Sequence, residues 1–150
     1  FNFLKLQREH WGSPEKMLRW QLFSEVLRHA LKIGTITPDS FGIEDDEQMM
    51  SRLEAIDDVS ITEVLSRLRG KLEYHVVPEN GQYHLHKKFR HVDPLYLKQG
   101  APYRLSETDP SFREHLAHER AYNQEGIRVI VPGHQKHEGC RALDAQGTTI

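Results

Sequence analysis

The chain has 150 residues, of which 37% are hydrophobic and 28% charged, with a formal net charge of −2. That length fits about one domain. The charge excludes a strongly cationic nucleic-acid binder as the default reading, and the composition excludes a disordered polar tract. No apolar run approaches the roughly 18–20 residues of a membrane span. The single cysteine, Cys140, excludes an internal disulfide framework and fits a reducing compartment, so a cytoplasmic location is expected.

Residues 1–12 begin Phe1-Asn2-Phe3-Leu4-Lys5-Leu6 with no initiator Met and no signal-type stretch. They read as a strand or docking arm of an internal piece of something longer. Their apolar cluster is expected to pack on another polypeptide. Ser13-Pro14-Glu15 is a helix start, with a cap, a proline at the first turn and an acid against the dipole. Met17, Leu18, Trp20, Phe23, Val26, Leu27, Ala30 and Leu31 recur at helical spacing, and Gly34 stops the run, so a helix is expected over 14–33. Thr37-Pro38-Asp39 opens a short turn through Phe41. Asp45 and Gln48 have the spacing of a capping box, and Asp57 or Asp58 can cap a further helix ended by Gly70. Helices are therefore expected over 46–56 and 59–69, and residues 13–70 form a helical lobe.

The period changes to two at Lys71. Leu72, Tyr74 and Val76 alternate with polar neighbours, Asn80-Gly81 is a strong hairpin signal, and Tyr83, Leu85 and Phe89 alternate again. A hairpin over 71–77 and 82–90 follows, with Val76 facing Leu85, Leu72 facing Phe89 and His75 facing His86. Asp93-Pro94, Gly100 and Pro102 mark a loop with one short extended piece at 95–97. Asp109-Pro110 starts a helix over 110–124, and 127–131 is a β-branched third strand. That strand is expected to join the hairpin, with the 110–124 helix on the apolar face of the sheet. The fold class is α+β: a mainly helical lobe, then a small antiparallel sheet packed on a helix. Residues 1–132 form one domain, with lobes at 13–70 and 71–132, and 133–150 a tail.

Several side-chain groups could carry chemistry. His75, His84 and His86 would share one face of the hairpin, which is a candidate transition-metal site. The competing reading is a solvated sheet face, and Lys87 and Lys88 would repel a dication. His134, His137 and Cys140 offer three ligands in the tail, one short of a structural zinc site. The run Glu44-Asp45-Asp46-Glu47 lacks the glycine of a calcium loop and reads as a helix cap. Lys87-Lys88-Phe89-Arg90 could meet phosphates, but Tyr83 and Phe89 fall on the expected core face, so a solvated strand edge is preferred. Trp11 and Trp20 are expected to anchor packing. Neither a Gly-x-Ser-x-Gly elbow, a Walker loop nor a His-Glu-x-x-His pair occurs. Protonating all ten histidines would carry the formal charge from −2 to about +8, so the surface should be sensitive to pH.

Over residues 13–132 the chain resembles the C-terminal region of HD-domain phosphohydrolases, the family that includes deoxynucleoside triphosphate triphosphohydrolases. The likeness rests on Ser13 to Leu18, Gly34 to Thr37 followed by Glu44 to Glu47, and Ile61 to Leu68 followed by Arg69-Gly70-Lys71-Leu72-Glu73-Tyr74. His91-Val92-Asp93-Pro94-Leu95, Arg104-Leu105-Ser106-Glu107 and Asp109-Pro110-Ser111-Phe112 extend it. None of these is a catalytic signature, and no His-Asp dipeptide occurs anywhere in the chain. The resemblance therefore implies a non-catalytic portion of a nucleotide phosphohydrolase that walls the substrate pocket or makes oligomer contacts. The divalent metal would be held by an upstream catalytic region. It also implies nucleotide-contacting residues near Arg67, Arg69 and Lys71. Its partners would be that upstream region or a second copy of the chain, with nucleotide; charge and apolar-run length, not the resemblance, leave nucleic acid unexpected and membrane excluded. The alternatives are a stand-alone protein-interaction module and a histidine-rich metal-binding protein.

Overall fold

The computed structural model describes residues 2–134 and has the expected α+β architecture. The N-terminal segment is helical rather than extended: helix α1 (Asn2–Leu6) runs into a π-helical turn at Gln7–Trp11. Helix α2 (Pro14–Lys32) follows. Ser13 occupies its cap position without a side-chain cap bond, and Gly34, at φ +77, ends it. Short α3 (Ser40–Ile43) runs through Gly42, and α4 (Asp46–Glu54) carries the full Asp45–Gln48 capping box. Helix α5 (Val59–Arg69) is capped by Asp58, which accepts from the Ser60 and Ile61 amides.

Helix α2 clamps α5 at both ends. At the start of α5, the His29 imidazole lies 2.9 Å from the Asp58 carboxylate. The Ser60 hydroxyl and His29 together hold the Asp58 carboxyl well below the usual carboxylate range. At its end, the Arg19 guanidinium donates to the Leu68 carbonyl and, at 2.9 Å, to that of Gly70, while Glu15 grips it from behind. A cation on those carbonyls complements the helix dipole. Leu18, Leu22, Val26 and Ala30 fill the interface with Ile61, Val64 and Leu65.

The sheet departs from expectation. Strands β1 (His75–Val77) and β2 (Tyr83–Leu85) do not pair with each other. Strand β5 (Ile127–Ile130) lies between them, antiparallel to both, with Val129 opposite Val76 on one side and Tyr83 on the other. The backbone of the connection shows the difference. A type I′ hairpin turn needs φ > 0 at both central residues; Asn80 has it (φ 54) and Gly81 does not. Gly81 serves close approach instead, since a Cβ there would sit 2.6 Å from the Arg128 Cβ. Residues 78–82 thus pass directly over β5. Strand β2 stops at Leu85, not at 90, because its partner β5 begins at Ile127, just after the α7 cap.

The expected loop after Asp93 contains a hairpin of its own, β3 (Leu95–Lys98) and β4 (Ala101–Arg104). Its turn residues Gln99 and Gly100 both have positive φ, at 54° and 82°. Pro102 masked this strand in the sequence, and it is tolerated because a two-stranded ribbon leaves each strand an open edge. A short α6 (Leu105–Thr108) leads to α7 (Pro110–Glu125), capped by Asp109. Helix α7 does not cover the sheet core. The buried cluster draws on α2, α4, α5, Leu72, Tyr83, Leu85, Val129 and Val131, while Leu116 of α7 is buried apart from it. Gly133 and His134, assigned to the tail by sequence, belong to the packed body, and His134 is buried. His137 and Cys140 lie outside the described residues.

Val76 shares the face of Val129 and Tyr83 but stands at the sheet edge and is 60% exposed. Leu85→Ala should therefore cost about 2–5 kcal/mol in denaturant unfolding, while Val76→Ala stays within about 0.5. Similar large costs at both positions would restore the hairpin in which Val76 and Leu85 face each other.

Candidate functional site

The three candidate metal histidines are separated by the sheet order. His75 lies opposite Ile130 on β1, whereas His84 lies opposite Arg128 on β2, with β5 between. His84 and His86 do meet, with ring centroids 3.9 Å apart, but over the end of α7. The His84 Nε2 is 2.8 Å from the Glu125 carbonyl, and both rings would collide with any Cβ on Gly126. Gly126 also has φ +68, so the two imidazoles lie over the one residue type that fits both the conformation and the space. Partial burial, the His84 ring and Arg128 hold the His86 imidazole below its ordinary range. An arginine beside this pair disfavours a dication, and among the described residues no three His, Cys, Asp or Glu side chains group to hold a metal. The three histidines are thus not brought together as one ligand set.

The candidate phosphate contacts near 67–71 are engaged within the fold. Arg67 donates to the carbonyls of Pro132 and Gly133, both at 3.0 Å, and to Glu63. Arg69 pairs with Glu54. Lys71 is exposed beside them. Of the three, two position the fold: Arg67 ties α5 to the end of the sheet, and Arg69 ties α5 to α4.

A buried polar group escaped the sequence. The Tyr83 hydroxyl donates to Glu25 Oε2 at 3.0 Å and lies 2.8 Å from His134 Nε2. All three residues are buried. A Glu–Tyr–His set has the functional groups of acid–base chemistry, but its burial leaves no place for a substrate within hydrogen-bond reach. It joins α2, β2 and the end of the sheet as a satisfied polar network. Nothing in the sequence marks it, because its members stand 58 and 51 residues apart.

A large open groove lies elsewhere among the described residues. A groove of about 760 Å³ is walled by Phe3, Trp11 and Trp20, with Lys16, Lys87, Lys88 and Arg90 along it. Trp20 is 69% exposed and Trp11 47%, so neither is the packing anchor expected from sequence. Phe3 meets Trp11 edge-on at 6.1 Å. The basic segment is held in place by Asn123, whose amide donates to the Lys87 carbonyl at 2.9 Å, and by Arg120 over the Phe89 ring. A second cavity of about 290 Å³ shares Gly12 and Lys87 with the groove and is lined by Met17, Leu85, Tyr122 and Ile127. The sequence displayed the cations and the aromatics, but not that residues 3–20 and 87–90 meet.

Compared with protein-family models, with curated proteins and with solved structures, the chain matches none. Among the described residues no helix is long and apolar enough to cross a membrane.

Because the folded state resists charging His86, its contribution to stability is whole above about pH 6.5 and falls as the pH drops below that value. His86→Gln should shrink the fall in Tm between about pH 7.5 and pH 5, read by thermal melts of both proteins. An unchanged fall would show that the His84–His86 contact carries no such penalty.

Proposed function

We propose that this chain is a non-catalytic portion of a nucleotide phosphohydrolase of the HD-domain family, acting in the cytoplasm. It makes contacts with the upstream catalytic region or a second copy, and helps wall the substrate pocket. The observation that supports this reading is the β3–β4 hairpin. Its strands are exposed along nearly their whole length, with Leu97 75% exposed. A two-stranded ribbon has little stability of its own in water, and an apolar one serves a partner surface.

The segments that carry the family resemblance build and brace this ribbon. Asp93 accepts from the Ser106 amide at 3.1 Å and from its hydroxyl at 2.6 Å, and the Leu105 amide donates to the Pro94 carbonyl at 3.0 Å. The Arg104 amide donates to Glu107. Thus 91–95 and 104–107, two matched segments, close on each other at the base of the ribbon. The Ser106 hydroxyl holds the Asp93 carboxyl below its ordinary range, which keeps the acceptor charged.

On this reading the metal and the water it activates belong to the upstream region, and this chain supplies shape and contacts. The natural polypeptide should be heavier than 17.5 kDa and should hydrolyse deoxynucleoside triphosphates in a chelator-sensitive way. The 150-residue chain alone should not, and Leu97→Lys in the natural polypeptide should weaken its assembly without lowering the Tm of the isolated chain. Chelator-sensitive turnover by the isolated chain, or a natural polypeptide of 17.5 kDa, would overturn the proposal.

A further inference from the structure

We infer that the groove between the N-terminal segment and residues 87–90 binds single-stranded nucleic acid, stacking bases on Trp20 and Trp11 and pairing phosphates with Lys16, Lys88 and Arg90. The inference stands independently of the phosphohydrolase reading. Three features of the groove carry it.

The first is the kind of wall. Exposed aromatic faces gathered along one groove mark an interaction site. Bases stack on such faces whatever their sequence. Trp20 presents most of its ring to solvent from the middle of α2, a helix whose other large apolar residues are turned inward.

The second is the charge. The chain as a whole is close to neutral, yet four cations and no described carboxylate line this groove. They come from two segments far apart in sequence, which the fold brings to one side. A row of cations beside aromatic platforms is the arrangement that tracks a phosphate backbone while its bases stack.

The third is the adjoining cavity. It shares Gly12 and Lys87 with the groove, and although Glu9 also lines it, Pro14, Met17, Leu85, Tyr122 and Ile127 give it an apolar wall that suits the flat body of a base. Asn123 lines it, and the Asn123 Oδ1 is buried without a hydrogen-bond partner, its amide nitrogen being committed to Lys87. Such an acceptor is costly to leave unmet, and the imino or amino hydrogen of a base would meet it. An open groove leading to a base-sized cavity fits a strand of a few nucleotides better than a compact anion.

The experiment is direct because Trp11 and Trp20 are the only two tryptophans in the chain. Tryptophan fluorescence, excited to the red of the absorption of the five tyrosines, therefore reports on this groove. The full chain is titrated with an oligothymidylate of about ten nucleotides. The expected result is saturable quenching, with log K falling against log salt at a slope of about −2 to −3, as three or four neutralised phosphates require on a single strand. Anisotropy of the labelled oligonucleotide then follows the variants. Trp20→Ala should weaken binding by about tenfold. Lys88→Glu with Arg90→Glu should weaken it further and flatten the salt slope by about 1.4. Trp20, Lys88 and Arg90 are exposed, so these variants should melt with the parent chain. Absence of quenching at about 50 mM salt would overturn the inference. So would undiminished binding by Trp20→Ala, or binding of inorganic phosphate or a mononucleotide as tight as that of the oligomer.

Discussion

The position of β5 governs the rest of this molecule. By entering between β1 and β2 it gives the sheet a central strand, and that strand brings Val129 and Val131 under the cover of the helical lobe. The Val131 amide donates to Gln82 Oε1, which carries the pairing one residue past the ladder. His134 then reaches Tyr83 and Glu25, and the last described turn of the chain is locked to α2. Two lobes that the sequence divides at residue 70 thereby share one core.

The same placement decides what the chemistry-bearing residues can do. Inserting β5 parts His75 from His84 and His86, and it leaves the latter two over Gly126. Arg67, drawn to the carbonyls after Val131, becomes a strap. The segment after Leu85, deprived of a strand partner, runs free of the sheet and carries Lys87, Lys88 and Arg90 toward Trp11 and Trp20. The binding groove is in this sense a by-product of where β5 begins.

The parts legible in the sequence are those decided within a few residues. Asp45 with Gln48, Asp58, Asp109-Pro110, Gly34 and Gly126 set helix ends by local hydrogen bonds and local φ, and each acts where the sequence places it. The third strand was legible too, but not its neighbours. Asn80-Gly81 looked like a hairpin because the dipeptide satisfies both a tight turn and a close backbone approach, and only the strand arriving 46 residues later chooses between them. Gln99-Gly100 makes the true hairpin turn with a weaker signature. Of the site, the residue types could be read but not their meeting, since exposure of Trp20 depends on which face of α2 the sheet claims. The buried Glu25 and His134 were hidden for the same reason, being polar residues whose partners lie far along the chain.

Amide hydrogen exchange along residues 127–130 tests the arrangement most directly. A strand paired on both sides has every amide bonded, so Arg128, Val129 and Ile130 should all exchange only with global unfolding. If β1 and β2 paired with each other and β5 lay at the sheet edge, alternate amides of β5 would face solvent. Alternating fast and slow exchange at these three residues would contradict the central strand, and with it the shared core and the groove that follows from it.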